Sequence, residues 1–191
     1  LTGERDFPGY PFALLARLDF TLSPDGLQVT TTVVNTAGLD LPLTVGHHPY
    51  LVAGAPGDRK IDSCTLRLPA AKRLELRDMI PTGKVEPVHG TRYDFRRPRL
   101  IGQTGFDEGF TGLSFRDGVA SVRLYREALG FGVELWQDRS YGFLQVYTPP
   151  ERGSIAVEPM SGAADAFNNG MGLTVLKPSG RFTGTYGLRA V

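Results

Sequence analysis

The sequence is poor in the features that most simply announce a function. It has one cysteine, Cys64, in 191 residues, so it cannot close a disulfide within the chain and has no cysteine cluster of the kind structural zinc uses. The plain reading of that thiol is a small buried apolar group. Neither sign of charge dominates, because 21 Lys and Arg against 20 Asp and Glu leave a formal net charge of +1. With no basic face implied, neither nucleic acid nor an anionic membrane is expected as a partner. No apolar run approaches the roughly 18 residues of a membrane-spanning helix. His-x-x-x-His and Cys-x-x-Cys spacings are absent, as is a glycine-rich phosphate loop opening a helix, so neither a metal nor a nucleotide cofactor is expected. The opening Leu1-Thr2-Gly3-Glu4-Arg5-Asp6 lacks an initiator Met, a charged leader and an apolar signal core. The expectation is a soluble, cytoplasmic protein that is a piece of a longer chain.

What the sequence does have is short apolar runs of period two, separated by turns rich in its 24 Gly and 14 Pro. Such runs read as strands half buried against a core. Residues 27–34 (Leu-Gln-Val-Thr-Thr-Thr-Val-Val) are dense in β-branched side chains. Ser23-Pro24-Asp25-Gly26 before them reads as a turn, which makes 11–21 the hairpin partner. Further strands are predicted at 41–48, 64–68, 73–76, 120–126, 130–138, 142–148, 154–158, 172–176 and 181–187. Residues 77–117, with Ile80-Pro81-Thr82-Gly83 and Phe95-Arg96-Arg97-Pro98, show little periodicity and read as loops crossing one end of a sheet. The whole is all-β: a single antiparallel sandwich or barrel domain over residues 1–191.

Alternation assigns faces within these strands. Thr44, Gly46 and His48 share one side; Gly132, Glu134, Trp136 and Asp138 another; Phe143, Gln145 and Tyr147 a third; Ser154, Ala156 and Glu158 a fourth. A solvated outer face is the plain reading of each. Aromatic rings among Gln, Glu, Asp and His nevertheless suit a sugar, whose C–H faces stack on rings while its hydroxyls take polar tips.

Five segments in order resemble the aldose 1-epimerase (galactose mutarotase) family: Gly46-His47-His48-Pro49-Tyr50-Leu51, Gly105-Phe106-Asp107-Glu108-Gly109-Phe110, Gly132-Val133-Glu134-Leu135-Trp136, Leu144-Gln145-Val146-Tyr147-Thr148 and Ile155-Ala156-Val157-Glu158-Pro159-Met160. Asp6-Phe7-Pro8-Gly9-Tyr10-Pro11-Phe12 is similar to the family's lead-in to a central strand. The resemblance implies a large antiparallel β-sandwich whose concave face binds a free hexose, such as glucose or galactose, and interconverts its anomers without a cofactor. It implies that Glu158 is the catalytic base and His48 the acid, with Asp107, Gln145, Tyr50, Trp136 and His47 as substrate-binding candidates. Alternation puts His48, and not His47, on the face of Thr44 and Gly46. The family also draws an Arg and a second His from an N-terminal portion that this chain does not contain. The chain is therefore expected to be the C-terminal part of a longer family domain, with an unpaired edge or exposed apolar patch where strands are absent.

Mutarotation needs one group to take a proton from the anomeric hydroxyl and another to give one to the ring oxygen. A free glutamate, with a pKa of about 4.3, is a feeble base, so Glu158 is expected in a partly desolvated site. Taken alone, Glu158 reads as a solvated carboxylate before a proline, His48 as a structural imidazole, Asp107 as a turn former and Trp136 as core filler. Two other functions stay open. One is a sugar-binding or sensor domain without turnover. The other is a glycoside hydrolase pairing Glu158 with Asp107 or Glu134, which needs carboxyl groups roughly 5–9.5 Å apart.

Overall fold

The stiff β-branched run expected to be extended is so, and it forms the strand Gly26–Asn35. The computed structural model describes residues 9–54 and 61–191 and the backbone of 2–3. The Asp6-Phe7-Pro8 part of the expected lead-in lies outside them. An eight-stranded antiparallel sheet runs in the order β1 (Thr2–Gly3), β2 (Leu14–Ser23), β3 (Gly26–Asn35), β16 (Arg181–Ala190), β12 (Phe131–Asp138), β11 (Val119–Arg126), β6 (Thr65–Arg67), β9 (Arg99–Leu100). A six-stranded sheet runs β5 (Tyr50–Leu51), β14 (Ile155–Met160), β13 (Phe143–Tyr147), β10 (Asp107–Leu113), β7 (Ala70–Arg77), β8 (Ile80–Pro87). A ribbon pairs β15 (Thr174–Leu176) with β4 (Leu41–Leu43). One apolar core joins the two large sheets, drawing Val122, Leu124 and Leu135 from one and Phe110, Leu144, Val146, Ile155 and Val157 from the other. Among the described residues no helix is long and apolar enough to cross a membrane.

Directly opposed residues of an antiparallel ladder share a face. Leu144 and Val146 stand opposite Pro159 and Val157, while Gln145 stands opposite both Glu158 and Gly109. The six-stranded sheet thus sends its aliphatic set into the core and turns Gly109, Gln145, Tyr147, Ala156 and Glu158 outward, as alternation requires.

Three expectations need correction. The stretch 77–117 is loop only in part: residues 88–98 and 101–106 carry no strand, but β8 and β10 lie within it and β10 is interior to the six-stranded sheet. The turn joining β7 to β8 has only two residues, Asp78 and Met79, with φ of 50° and 67°. Both lie in the left-handed region that a two-residue type I′ hairpin requires, without the Asn-Gly or Asp-Gly signature that would announce it. The expected strand 41–48 is a three-residue β4, an isolated bridge from Gly46 to Met160, and then β5. Lastly, the lead-in around Tyr10 to Phe12 feeds β2, next to the end of its sheet rather than at its centre.

The eight-stranded sheet outreaches the other. Leu18, Phe20 and Leu22 of β2 face Thr31, Val29 and Leu27 and so lie on the core side. They remain 42%, 66% and 82% exposed and form an apolar stripe. Beyond Leu14 and Leu15, which pair with β1, the outer edge of β2 is unpaired among the described residues.

Candidate functional site

The outward face of β10, β13 and β14 carries the site. Val157 is fully buried in the core, so its neighbour Glu158 must project from the other side of β14. There it stays largely covered, its side chain only 10% exposed. The chain that meets it is the short segment between β4 and β5. Gly46 fits against β14 because a Cβ there would lie 2.3 Å from Met160 Sδ. The His47 N–H donates to the Pro159 carbonyl, and the Val157 N–H donates to the Pro49 carbonyl, each at 3.1 Å. Clamped in this way, His48 points outward and places Nε2 at 3.1 Å from Glu158 Oε1. The Tyr50 ring stacks on the His48 imidazole with centroids 4.9 Å apart.

Burial pushes the Glu158 carboxyl above its ordinary value; His48 counteracts this and the charge of Asp107 adds to it. The first cause is the expected one, a carboxylate kept from water and made a better base. Asp107 opens β10 and accepts a hydrogen bond from Gln145 Nε2 at 3.1 Å. Glu158 and Gln145 line a cavity of about 170 Å³ with Leu74, Gly109, Phe143 and Met160. An adjoining hollow of about 60 Å³ shares Gly109 and Gln145 and reaches Asp107 and Met79. The small-residue stretch Gly162 to Ala164 completes the wall of the first cavity. Leu74, Gly109, Met160 and this wall escape a reading by residue type, because they contribute shape rather than chemistry. The run Ser161-Gly162-Ala163-Ala164 was the legible signal. A larger hollow of about 900 Å³, lined by His89, Asp94 and Arg96 among others, holds neither Glu158 nor His48.

The structure therefore brings Glu158, His48, Tyr50, Gln145 and Asp107 to one face. Two other expected residues lie elsewhere. His47 turns into the space between the sheets, with Nε2 at 2.9 Å from Thr31 Oγ1 and 3.2 Å from the Tyr141 hydroxyl. Burial holds its pKa below the ordinary imidazole value. Trp136 does sit on the polar side of its strand, but β12 belongs to the other sheet, so that side is the opposite surface of the sandwich. Its ring covers Gly187, where a Cβ would lie 2.5 Å from the indole. Glu134 shares that surface, held by Arg123 at 2.9 Å and by Arg189, which removes it as a carboxylate partner for Glu158. Among the described residues no group of three or more His, Cys, Asp or Glu is placed to hold a metal ion.

A sequence model of the aldose 1-epimerase family matches residues 1–189. The chain is 28% identical over 187 residues to the Escherichia coli uncharacterized protein YihR, covering 95% of this chain and 58% of that protein. It is 26% identical over 136 residues to human galactose mutarotase, covering 67% of this chain and 39% of the enzyme. A galactose mutarotase-like protein from Clostridium acetobutylicum superposes with a TM-score of 0.87 at 18% identity, over 100% of this chain and 61% of that one. A GalM/aldose epimerase homologue from C. elegans gives 0.83 at 17%, over 100% and 64%. The chain thus spans about three-fifths of the length of YihR and of these two solved structures, and less of the human enzyme.

Proposed function

The chain belongs to the aldose 1-epimerase family, and from that premise we propose that its outward β10–β13–β14 face binds a free hexose and interconverts its α and β anomers. Glu158 takes the proton of the anomeric hydroxyl as the ring C–O bond breaks, and His48 gives a proton to the ring oxygen. The product is the open aldehyde. Rotation about C1–C2 presents the other carbonyl face, and ring closure reverses both transfers, returning each proton to its donor. The anomeric and ring oxygens share one carbon, so a base and an acid converging on one point serve both. The observation that carries this reading is the 3.1 Å approach of His48 to a largely buried Glu158 whose pKa is raised.

Asp107 and Gln145 are assigned to sugar hydroxyls, with their mutual hydrogen bond fixing both side chains. Each such positioned proton transfer contributes about 10²–10⁴-fold. Polarimetry of freshly dissolved α-glucose or α-galactose, with the native chain and with Glu158→Gln, tests the assignment. Faster relaxation with the native chain alone supports it, and equal relaxation removes Glu158 from the reaction.

A second reading, sugar binding without turnover, draws on the openness of the site. His48 and Tyr50 are each about half exposed, at 52%, and an acid in water is a less controlled donor than one in a closed pocket. Saturable sugar binding with no acceleration would favour it.

A further inference from the structure

The acid of the proposed pair stands on a short stretch of irregular chain. β4 ends at Leu43 and β5 begins at Tyr50, with only the Gly46 bridge between them. The two backbone bonds to β14, with the Ser161 N–H donating to the Val45 carbonyl and the Val45 N–H to Ser161 Oγ, each at 2.8 Å, tether this segment on one side. Toward the other sheet Val45 packs against the apolar core, and the neighbouring imidazole makes a polar tie. His47 inserts between the layers, where Nε2 meets the hydroxyls of Thr31 in β3 and Tyr141, and its ring lies against Tyr186 of β16 with centroids 4.7 Å apart. Thr31, Tyr141 and Tyr186 are 4%, 0% and 7% exposed. A wholly apolar residue at 47 would take from two buried hydroxyls, which also bond each other, the ring nitrogen they share.

We propose that His47 is a positioning residue for the reaction: its half-buried imidazole, bonded to Thr31 and Tyr141, fixes the backbone that aims His48 at Glu158. This rests on the acid–base reading of Glu158 and His48. In extended chain adjacent side chains point to opposite sides, so holding one imidazole inside sets the direction of the next one outside. The depressed pKa keeps His47 neutral, which suits a hydrogen-bonding anchor and not a proton donor. Misplacing a reacting group by an ångström is enough to slow a reaction by a large factor.

The test uses Tyr141→Phe, which deletes one oxygen, together with His47→Leu and His47→Gln. Expected for Tyr141→Phe and His47→Leu is a fall in kcat of about tenfold or more, with KM changed less than about twofold. His47→Gln, whose amide also offers a donor and an acceptor, restores most of kcat. A rise in KM with kcat unchanged would make His47 a sugar contact and overturn the proposal. So would a lower Tm with kcat per folded molecule intact. Imidazole ¹⁵N spectra supply a readout that survives a failure of the acid–base reading. In the native background Glu158→Gln should move the His48 signals, and in the Tyr141→Phe background it should move them much less. Equal movement in both backgrounds would overturn the positioning role, whereas a native chain that shows the spectral coupling but no mutarotation would overturn only the catalytic one.

Discussion

Gln145 stands opposite Glu158 in the β13–β14 ladder and donates its amide N–H to Asp107 at 3.1 Å. A single side chain therefore lies between the proposed base and the second carboxylate of the site, and it holds that carboxylate where its charge is felt. Asp107 is one of the two causes that raise the Glu158 pKa, the smaller after burial. Removing that charge should lower the pKa partway toward the ordinary glutamate value. Asp107→Asn is thus expected to move the acid limb of the kcat/KM profile to lower pH while raising KM for the sugar. An acid limb that stays in place, or moves to higher pH, would show that the two carboxylates do not interact.

Glu158→Gln should separate function from stability. Mutarotation is expected to fall by about 10²–10⁴-fold, read by polarimetry. The fold should gain. A carboxyl whose folded pKa lies above its unfolded value of about 4.3 costs nothing when protonated, and its cost grows as pH rises through the folded value. At neutral pH the amide removes a desolvated charge, so Tm should rise, by about 2–4 °C for each kcal/mol regained. Below about pH 4 the two proteins should melt together. A loss of Tm at neutral pH would mean that the contact with His48 outweighs the burial of the charge.

The chemistry of this site was more legible than its shape. Period-two alternation assigned Glu158 and Gln145 to a polar face and His48 away from His47, because a fixed two-residue period survives any tertiary context. It assigned Trp136 to the polar side of its own strand with equal success, yet which sheet receives a strand depends on long-range pairing that alternation does not encode. The strand β10 escaped because Gly105, Gly109 and Gly112 read as punctuation. At Gly109 the missing side chain is instead a demand of packing, where Leu74 fills the space a Cβ would need.

Gly109→Ala tests that demand. The new methyl would lie 2.6 Å from Leu74 Cδ1 and 3.3 Å from Gln145 Oε1, on the floor of the cavity beside Glu158. Leu74 is 2% exposed and has little room to yield, so a loss of about 1–3 kcal/mol is expected from overpacking, visible as a lower melting temperature. Sugar affinity should fall as well, measured by calorimetry on the folded variant. Unchanged affinity would place the sugar elsewhere on the sheet.

The apolar stripe on β2 carries the opposite expectation. Phe20 and Leu22, at 66% and 82% exposure, face the core side of the sheet but lie beyond the reach of the six-stranded layer. Side chains this open contribute little to the fold and favour self-association. Phe20→Thr and Leu22→Thr keep or nearly keep β propensity and should shift stability by no more than about 0.5 kcal/mol, while lowering the concentration-dependent light scattering of the 191-residue chain. A large drop in Tm for either variant would show that the stripe is covered in solution, since only a side chain packed against neighbours loses that much on truncation.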